Sequence, residues 1–430
     1  MASVIDHGAP NHEVMLRYNI VSAAFECGAW DIAATQLAAA DRKVDPTDWR
    51  LLHVIGVLPY LVCSGADDAR HVWERTHRML VERPAVVFSA EIHPAGDLNA
   101  EDRVQGLEAI GALLLRSEAI ASSRIEGIEL SQRNLARALI DPRASKGSAR
   151  AVAANVLAME EAIEGAADGS DLTVETIESI HRTLMTEEPE RVSAGRFREE
   201  QNWIGGRRSN PSDARYIPPP EDHVPALMAD LVDFINRDDL PAVAQAAIAH
   251  AQFETIHPFV DGNGRVGRCL IHVVLRRRDV ARSFVPPVSI VLAARPEGYV
   301  SGLVEFREGR IEPWCAAFAE ASRYAAESSA VLAARVAVLQ SDWRERAGRP
   351  RRDSAAARII GVLAAQPIAS AATIRGAIGA RHQRALEGLK VLADAGVLRQ
   401  ISAGTYDRQY AADELFELIE DYEAEVADRT

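Results

Sequence analysis

The sequence has few cysteines, and none of them lies close to another. Its four cysteines are spread over 430 residues, without the Cys-x-x-Cys spacing of a zinc site or the density of a disulfide framework. The cysteines are therefore expected to be reduced and buried.

Basic residues are outnumbered by acidic ones: there are 48 Lys and Arg and 62 Asp and Glu, which gives a formal net charge of −14. Nucleic-acid binding by the chain as a whole is disfavoured, although a local basic patch is compatible with this charge.

Long apolar runs are also missing. The most apolar stretch, residues 51–63, is interrupted by His53, Gly56 and Pro59 and is too short to cross a bilayer, and the N-terminus lacks the basic start of a signal peptide. The sequence therefore predicts a cytoplasmic protein with no membrane partner. Its 48% hydrophobic and 26% charged residues are normal for a globular protein, and its length predicts two or three folding units.

The most informative stretch is a polar run at residues 257–268, which reads HPFVDGNGRVGR. Gly262, Asn263 and Gly264 form a flexible turn within it, and apolar side chains at helical spacing follow. A helix N-terminus that is reached through glycines offers free backbone N–H groups to an anion. The pattern therefore indicates a phosphate-binding turn at the start of a helix.

Charged and titratable side chains accompany this turn. Arg265 and Arg268 lie three positions apart on the predicted helix, so both can reach one ligand, and guanidinium groups suit phosphate oxygens. Asp261 offers a hard oxygen ligand to Mg²⁺, which commonly keeps several waters and few protein ligands. His257 is the side chain here that can take up a proton near neutral pH. Together these residues point to nucleotide chemistry.

The run resembles the signature of the Fic (filamentation induced by cAMP) family, HPFx(D/E)GNGRxxR, and matches it at every specified position. The resemblance covers about residues 97–340 and extends to flanking positions, namely His250, Phe253 and Ile256 before the run and Tyr299, Glu312 and Trp314 after it. It implies an all-α Fic core that transfers a nucleoside monophosphate, usually AMP from ATP, to a hydroxyl group of a target protein.

The resemblance also implies a role for each residue of the site. His257 is the catalytic base that takes the proton of a Ser, Thr or Tyr hydroxyl, Asp261 holds Mg²⁺, and Phe259 is a packing anchor. The nucleotide-binding residues are Gly262, Asn263, Gly264, Arg265, Arg268 and Tyr299. Fic relatives that act as kinases lack the second half of the signature, whereas this chain has it, so kinase activity is disfavoured.

A second motif lies upstream of the first. Ser122, Glu126 and Gly127 resemble the family's inhibitory motif, (S/T)xxxE(G/N), and the first two share one face of a predicted helix. In the family this glutamate pairs with the second arginine of the signature, here Arg268, and keeps it from the γ-phosphate of ATP. A carboxylate in that place occupies the guanidinium and repels the phosphate. The resemblance thus implies an enzyme that is autoinhibited at rest.

Composition divides the chain into four parts. Residues 1–96 are expected to form a helical accessory region, and residues 97–343 the Fic core together with the inhibitory helix. Within the core, residues 195–220 are rich in Gly and Pro around two short extended pieces, which predicts a β-hairpin. In the family such a flap docks the main chain of the target by strand addition.

Residues 344–353 are basic and contain Gly348 and Pro350, which predicts a linker. Residues 354–430 then give three short helices and a two-stranded wing, and resemble a winged helix-turn-helix. Candidate phosphate contacts in it are Arg381, His382, Arg384 and Lys390, but Glu387, Asp394 and an acidic tail at 413–428 dilute their charge. The pattern leaves open whether this domain contacts DNA or protein.

Two other functions fit the same residues. Glu126 can position a hydrolytic water, which would make the protein an enzyme that removes AMP. Alternatively, the core is vestigial and the chain is a DNA-binding regulator, a hypothesis that the intact signature disfavours. The target protein, the choice among ATP, UTP, GTP and CTP, and the formation of a homodimer are not encoded in any legible pattern.

Overall fold

The computed structural model describes residues 100–141, 145–186, 193–205, 211–281, 284–402 and 408–429. The described residues all belong to one compact unit. The accessory region predicted for residues 1–96 lies outside the described residues. Among the described helices, none is both long and apolar enough to cross a membrane.

The first part of this unit is built of α-helices. The sequence pattern predicts a helix from about residue 101 and further helices at about 148–165, 173–186, 221–237, 240–255, 264–278, 295–308 and 312–343. The structure has a helix at each of these places, within a few residues of these limits, and adds α2 and α8. Local signals explain several ends; for example, the Thr173 hydroxyl accepts from Thr176 N and Thr176 returns the bond, which starts α4. The bounds are α1 Ala100–Ile125, α2 Gln132–Ile140, α3 Ser148–Gly165, α4 Val174–Leu184, α5 Val224–Ile235, α6 Ala242–Ile256, α7 Asn263–Arg277, α8 Val288–Ala294, α9 Pro296–Arg307 and α10 Ile311–Arg346.

Helix α7, which begins in the polar run, lies at the centre of the core. Every residue from Asn263 to Leu275 is buried, and the helix packs against α1, α3, α4 and α6. A helix that is buried on all sides is fixed by its neighbours rather than by one apolar stripe. The polar residues that α7 carries are therefore held in defined positions inside the protein.

A buried polar network ties α1 to α7 and α8. The Glu118 carboxylate contacts His272 Nε2 at 2.8 Å and accepts from Ser289 N at 2.8 Å, and the Ser289 hydroxyl also donates to it. All three residues are almost completely inaccessible to solvent. Removing one member of a buried, hydrogen-bonded pair leaves the other without a partner and costs several kcal/mol. The network therefore fixes the register of α1 along α7.

The C-terminal part contains three short helices and a small sheet. Helices α11 (Ala355–Val362), α12 (Ala371–Ile378) and α13 (His382–Asp394) match the prediction. Strands β2 (Arg399–Gln400) and β3 (Gln409–Ala411) are the predicted pair, and β1 (Ile368–Ser370) adds a third, in the antiparallel order β1-β3-β2. In this sheet Ala411 of β3 pairs with Ile368 on one side and Arg399 on the other. The assignment of these elements as a winged helix-turn-helix stays a prediction.

The acidic tail predicted for residues 413–428 is instead a packed helix, α14 (Asp413–Arg429). Apolar residues at helical spacing lie on its buried face, namely Leu415, Phe416, Ile419, Tyr422 and Val426. Its acidic residues accept hydrogen bonds from the long helix α10: Arg335 donates to Glu425 through Nη1 and Nη2, both at 2.8 Å, and Trp343 Nε1 donates to Glu414 at 2.6 Å. The charges thus cover the outer face of a helix that belongs to the core.

Helix α14 also contacts the region of the inhibitory motif. Gln132 Nε2 donates to Glu423 Oε1 at 2.6 Å and to Ser117 Oγ, on α1, at 2.8 Å. Arg116, also on α1, donates to the carbonyl of Ala365 just after α11. The C-terminal elements therefore pack directly on the helix that carries the motif.

In the described residues, the predicted flap contains one β-bridge, and the predicted linker begins inside a helix. A single antiparallel bridge joins Ile204 to Tyr216, and the turn at residues 206–210 lies outside the described residues. Helix α10 continues to Arg346, so the first residues of the stretch predicted as a linker are helical.

Candidate active site

His257 lies where α6 ends. Its backbone is left-handed, with φ 49° and ψ 59°, and its N–H donates to Phe253 O at 2.9 Å. A residue other than glycine in this region costs about 1 kcal/mol, and backbone strain of this kind concentrates at functional sites. The chain turns sharply at this position and leaves the imidazole partly accessible, with 19% of the side chain exposed.

Phe259 anchors the loop between α6 and α7. It is fully buried, and the side chain of Asn263 brackets its backbone: Asn263 Oδ1 accepts from Phe259 N and Asn263 Nδ2 donates to Phe259 O, both at 2.8 Å. The side-chain amide of Asn263 is therefore engaged in shaping the loop. What Asn263 offers to a nucleotide is its backbone N–H.

His181 fixes the same loop from the other side. Its ring stacks on Phe259 with the centroids 3.8 Å apart. Its Nδ1 accepts from Gly195 N at 2.8 Å, so Nε2 carries the proton and donates to Asp261 O at 3.1 Å. Burial lowers the pKa of His181 to about 4. The loop thus depends on a neutral imidazole.

His181 should make the fold sensitive to acid. Its folded pKa, about 4, lies below the ordinary value of 6.5, so the unfolded chain binds the proton first, and the stabilisation is complete above pH 6.5 and is lost as the pH falls toward 4. Between pH 7 and pH 5 the wild type is expected to lose about 2 kcal/mol more unfolding free energy than His181→Gln, measured by urea denaturation. The exposed His382→Gln serves as control. Equal losses in wild type and His181→Gln would contradict this role.

The start of α7 is an anion site by construction. Gly262 precedes the helix with φ 78°, a conformation that glycine adopts at little cost. The first helical hydrogen bond runs from Val266 N to Gly262 O, so the N–H groups of Asn263, Gly264 and Arg265 have no partner within the helix. These groups and the helix dipole together favour a negatively charged ligand.

Arg265 is a buried cation with few hydrogen-bond partners. The residue is 3% exposed, its Nε and Nη1 have no hydrogen-bond partner within the described ranges, and Nη2 lies 3.9 Å from Met185 Sδ. Burying a guanidinium without hydrogen bonds is unfavourable. Its position at the first turn of α7 therefore calls for an anionic ligand.

Replacing Arg265 should separate stability from ligand binding. Arg265→Leu removes a buried charge whose Nε and Nη1 make no hydrogen bond in the described residues, so it is expected to raise the unfolding free energy by about 1 kcal/mol without nucleotide. The same substitution should abolish the rise in melting temperature that MgATP causes in the wild type. The two measurements are urea denaturation and thermal unfolding with and without MgATP. Arg310→Leu, at an exposed site, is the control; a full MgATP effect in Arg265→Leu would refute the assignment.

Arg268 is held by Ser122 and Glu126, the residues that resemble the inhibitory motif. Its Nε donates to Ser122 Oγ at 2.9 Å, and its Nη2 donates to Ser122 O at 2.8 Å and to Glu126 Oε1 at 2.6 Å. Arg268 is 1% exposed at its side chain and Glu126 38%. Burial would raise the pKa of Glu126, but the Arg268 guanidinium outweighs this effect and lowers it. Glu126 is therefore ionised at neutral pH.

Two glycines allow this contact. Gly127 has φ 77° and its N–H donates to Arg124 O at 2.9 Å, which ends α1 and places Glu126 in the turn just beyond it. Gly264 lies directly against the carboxylate: a β-carbon there would overlap Glu126 Oε1 and crowd Arg268 Nη1. The carboxylate therefore sits against the first turn of α7, where an anionic ligand would also bind.

Asp261 is the candidate metal ligand. One of its carboxylate oxygens accepts from Gly262 N at 2.6 Å, which leaves the other to coordinate a cation. In the part of the chain that the structure describes, no group of three or more His, Cys, Asp or Glu side chains could hold a metal ion. One carboxylate beside a phosphate site fits Mg²⁺, which takes its remaining ligands from phosphates and water.

Tyr299 lies deeper than the prediction of a nucleotide contact suggests. It is 7% exposed, and its hydroxyl lies 2.8 Å from His250 Nε2. Burial raises its pKa, and the nearby Arg268 opposes this effect. Tyr299 thus contacts the site from behind Arg268, and its role in nucleotide binding stays a prediction.

Comparison with known proteins agrees with this geometry. Residues 171–275 match the model of the Fic/DOC family, and residues 102–164 match that of the Fic/DOC family N-terminal region. The chain contains a Fic domain. The two matches include the polar run between α6 and α7, the helix that carries Ser122, and Glu126 in the turn after that helix.

Relatives of the Fic domain include named adenylyltransferases. The chain is 31% identical over 134 residues to protein adenylyltransferase fic-1 of Caenorhabditis elegans, which is 30% of this chain and 23% of that protein. It is 37% identical over 99 residues to a probable protein adenylyltransferase of Aquifex aeolicus, which is 23% of this chain and 28% of that protein. The chain thus spans about a quarter of the length of these relatives. A solved structure of a Fic family protein from Desulfovibrio desulfuricans has 23% identity and a TM-score of 0.44, covering 74% of this chain and 98% of that chain.

The sequence alone does not identify several residues of the Fic domain site. Arg198 donates to His257 O at 3.1 Å and to carbonyls of the flap region, and Glu254 lies under His257. His181 and Glu118 hold the loop and the inhibitory helix. Only Glu254 carries a signal in the sequence, because it lies three residues before His257 on a helix; the others reach the site through tertiary packing.

Proposed function

We propose that this Fic domain transfers AMP from MgATP to a Ser, Thr or Tyr hydroxyl of a protein, and that Glu126 holds it in an inactive state at rest. The observation that carries the proposal is Arg265, a buried guanidinium at the first turn of α7 whose Nε and Nη1 have no hydrogen-bond partner in the described residues. The N–H groups at the start of α7 have no partner within the helix, and a short loop connects this helix to His257 at the end of α6. An anion site next to a base is the minimum that nucleotidyl transfer requires.

His257 has the protonation state that a general base needs. Burial lowers the pKa of His257 to about 4, and the opposing effect of Glu126 does not offset it. The ring is therefore neutral above about pH 4 and can take the hydroxyl proton as the oxygen attacks the α-phosphorus. The new bond joins the target oxygen to that phosphorus, the bond from the α-phosphorus to the bridging oxygen breaks, and pyrophosphate leaves.

The N–H groups of the first turn of α7 and Arg265 would stabilise the charge that develops on the phosphates. Asp261 would hold Mg²⁺, which supplies neutralising charge to the phosphates when bound. Arg268 would hold the γ-phosphate once it is free of Glu126. Because one guanidinium cannot serve both anions in full, occupation by Glu126 and productive binding of ATP exclude each other.

Labelling with ATP carrying the radioactive atom at the α- or the γ-phosphate tests the reaction type. Glu126→Gly protein, incubated with a cell lysate and Mg²⁺, should transfer the α-label and not the γ-label, and parallel reactions with the four nucleoside triphosphates identify the preferred base. Transfer of γ-label would show a kinase. Absence of any protein-bound label, with the purified protein still binding ATP, would refute the proposed transfer.

Removal of AMP is a second candidate, and the proximity of Glu126 to His257 favours it. Each group influences the pKa of the other, and in this second reaction Glu126 would hold the water that attacks the phosphorus. Label from AMP-modified protein should then be lost with wild type and Mg²⁺, and retained with Glu126→Gly. Equal retention by both proteins would exclude this activity.

A further inference from the structure

Two buried polar atoms beneath the active site have no partner. Glu254 and His257 lie three residues apart at the end of α6, and Glu254 Oε2 is 3.9 Å from His257 Nδ1. Neither His257 Nδ1 nor Glu254 Oε1 makes a hydrogen bond in the described part of the chain. Glu254 is only 6% exposed. Buried polar atoms of native proteins are nearly always paired, so an unpaired ring nitrogen that faces a buried carboxyl group at 3.9 Å calls for a functional explanation.

We propose that Glu254 is the positioning residue of His257, accepting the Nδ1–H hydrogen bond and so leaving Nε2 as the atom that takes up the substrate proton. The proposal rests on the proposed function, in which His257 is the base. A third group that orients the base and stabilises its protonated form is a recurring arrangement in enzymes. The distance of 3.9 Å is longer than a hydrogen bond, and catalytic hydrogen bonds are commonly loose before substrate binds.

The packing around Glu254 keeps its carboxyl group in place. Gly267 of α7 provides the room, because a β-carbon there would lie 2.8 Å from Glu254 Oε1 and 3.1 Å from His250 Nδ1. A side chain at this position of the signature would therefore push Glu254 away from its place beside the histidine. Phe253 closes the same space, at 3.0 Å from that β-carbon. The carboxyl group is thus confined to the side of His257.

Charged and titratable groups of the neighbouring helices lie around Glu254. They are Arg268 on α7, Glu126 after α1, Arg307 and Tyr299 on α9, and His250 and His257 along α6. Burial raises the pKa of Glu254 to about 7, Arg268 and Arg307 oppose this effect, and Glu126 adds to it. As the pH falls through this value the carboxylate is protonated and ceases to be an anionic acceptor. Removing Glu126 should lower the pKa of Glu254, since one repelling charge is gone.

One proton is transferred in the proposed step. The hydroxyl proton of the target moves to His257 Nε2, while the Nδ1 proton stays on the ring and is donated to Glu254 Oε2. The imidazolium that forms is then stabilised by the adjacent carboxylate. Glu254 itself takes no proton during the transfer.

The test reads the histidine directly. In protein with ¹⁵N-labelled histidine, long-range ¹H–¹⁵N spectra at pH 8 should show His257, assigned by its loss in His257→Ala, as the Nδ1–H tautomer. Glu254→Gln keeps the size of the side chain and the backbone carbonyl of Glu254, which also faces the ring, but removes the charge. We expect it to change the tautomer or the Nδ1 shift and to remove the response of the ring to pH near 7. An unchanged spectrum would assign the orientation to the backbone carbonyl and overturn the proposal.

The second test measures the rate of AMP transfer. In the Glu126→Gly background, Glu254→Gln should lower AMP transfer at least about tenfold and remove the loss of activity on the acid side of neutrality, with ATP binding unchanged. Glu327→Gln, on the surface of α10, is the matched control. Transfer within twofold of the parent and the same pH profile would overturn the proposal. If the Glu126→Gly parent transfers no AMP at all, the proposed function fails, and the histidine spectrum still decides the role of Glu254.

Discussion

Substituting His257 by alanine in the Glu126→Gly protein is expected to reduce AMP transfer by about 10²- to 10⁴-fold, the range for loss of a positioned general base. The imidazole is neutral at working pH because burial lowers its pKa to about 4, so it contributes as a base across the physiological range. The side chain makes no hydrogen bond through Nδ1 within the described ranges. Its loss should therefore affect the reaction far more than the fold.

The measurement is the initial rate of α-label transfer, with binding of MgATP followed separately. Binding should stay within about threefold of the parent, because the phosphates contact α7 and its arginines rather than the ring. His382→Ala, which removes an exposed histidine of α13, should leave the rate unchanged. Transfer by the His257→Ala protein within tenfold of its parent would show that another group takes the proton.

Replacing Glu126 by glycine in the otherwise natural chain is expected to raise AMP transfer by about 10- to 100-fold. The carboxylate accepts from Arg268 Nη2 at 2.6 Å, and a charge-assisted hydrogen bond of this kind contributes about 1.5–3 kcal/mol. Every 1.4 kcal/mol corresponds to a factor of ten. ATP must overcome this contact before Arg268 can bind the γ-phosphate, and the variant removes that requirement.

The control for this prediction lies in the same turn. Glu129 is an exposed glutamate three residues further on, and Glu129→Gly should leave the rate unchanged. Ser122→Ala removes one of the bonds to Arg268 and should give a smaller increase than Glu126→Gly, because Ser122 O still accepts from Arg268. Equal rates for wild type and Glu126→Gly, measured with saturating MgATP, would rule out the inhibitory role.

The sequence predicts the parts of the molecule that are set by local pattern. The turn at Gly262 and the helix after it follow from glycine and from apolar spacing, and most helices lie where periodicity puts them. The acidic composition of residues 413–428 suggests a tail, and this prediction is wrong because apolar residues of the same segment, such as Phe416 and Ile419, are buried in helix α14. Those positions have helical spacing, so the helix is legible once charge is set aside.

The contacts between distant segments are different. The pair Glu118 and His272 is separated by 154 positions in the chain, and no local rule brings an isolated glutamate and histidine together. The same holds for His181, whose ring reaches Phe259 only because α4 packs beside α7. Such partners are chosen by the packing of whole helices, which the pattern of a single sequence does not specify.

The way α1 ends has a kinetic consequence. Glu118 and Ser122 hold the body of the helix inside the core, whereas Glu126 lies beyond its last residue on the turn made by Gly127. A side chain on such a turn rearranges in nanoseconds to microseconds, while enzymes of ordinary speed complete about 1 to 10³ cycles per second. The inactive and active arrangements of the proposed mechanism would therefore exchange many times within each catalytic cycle. The resting rate of transfer would then report the ratio of their populations, and a regulator that shifts this ratio would change the rate in a graded way.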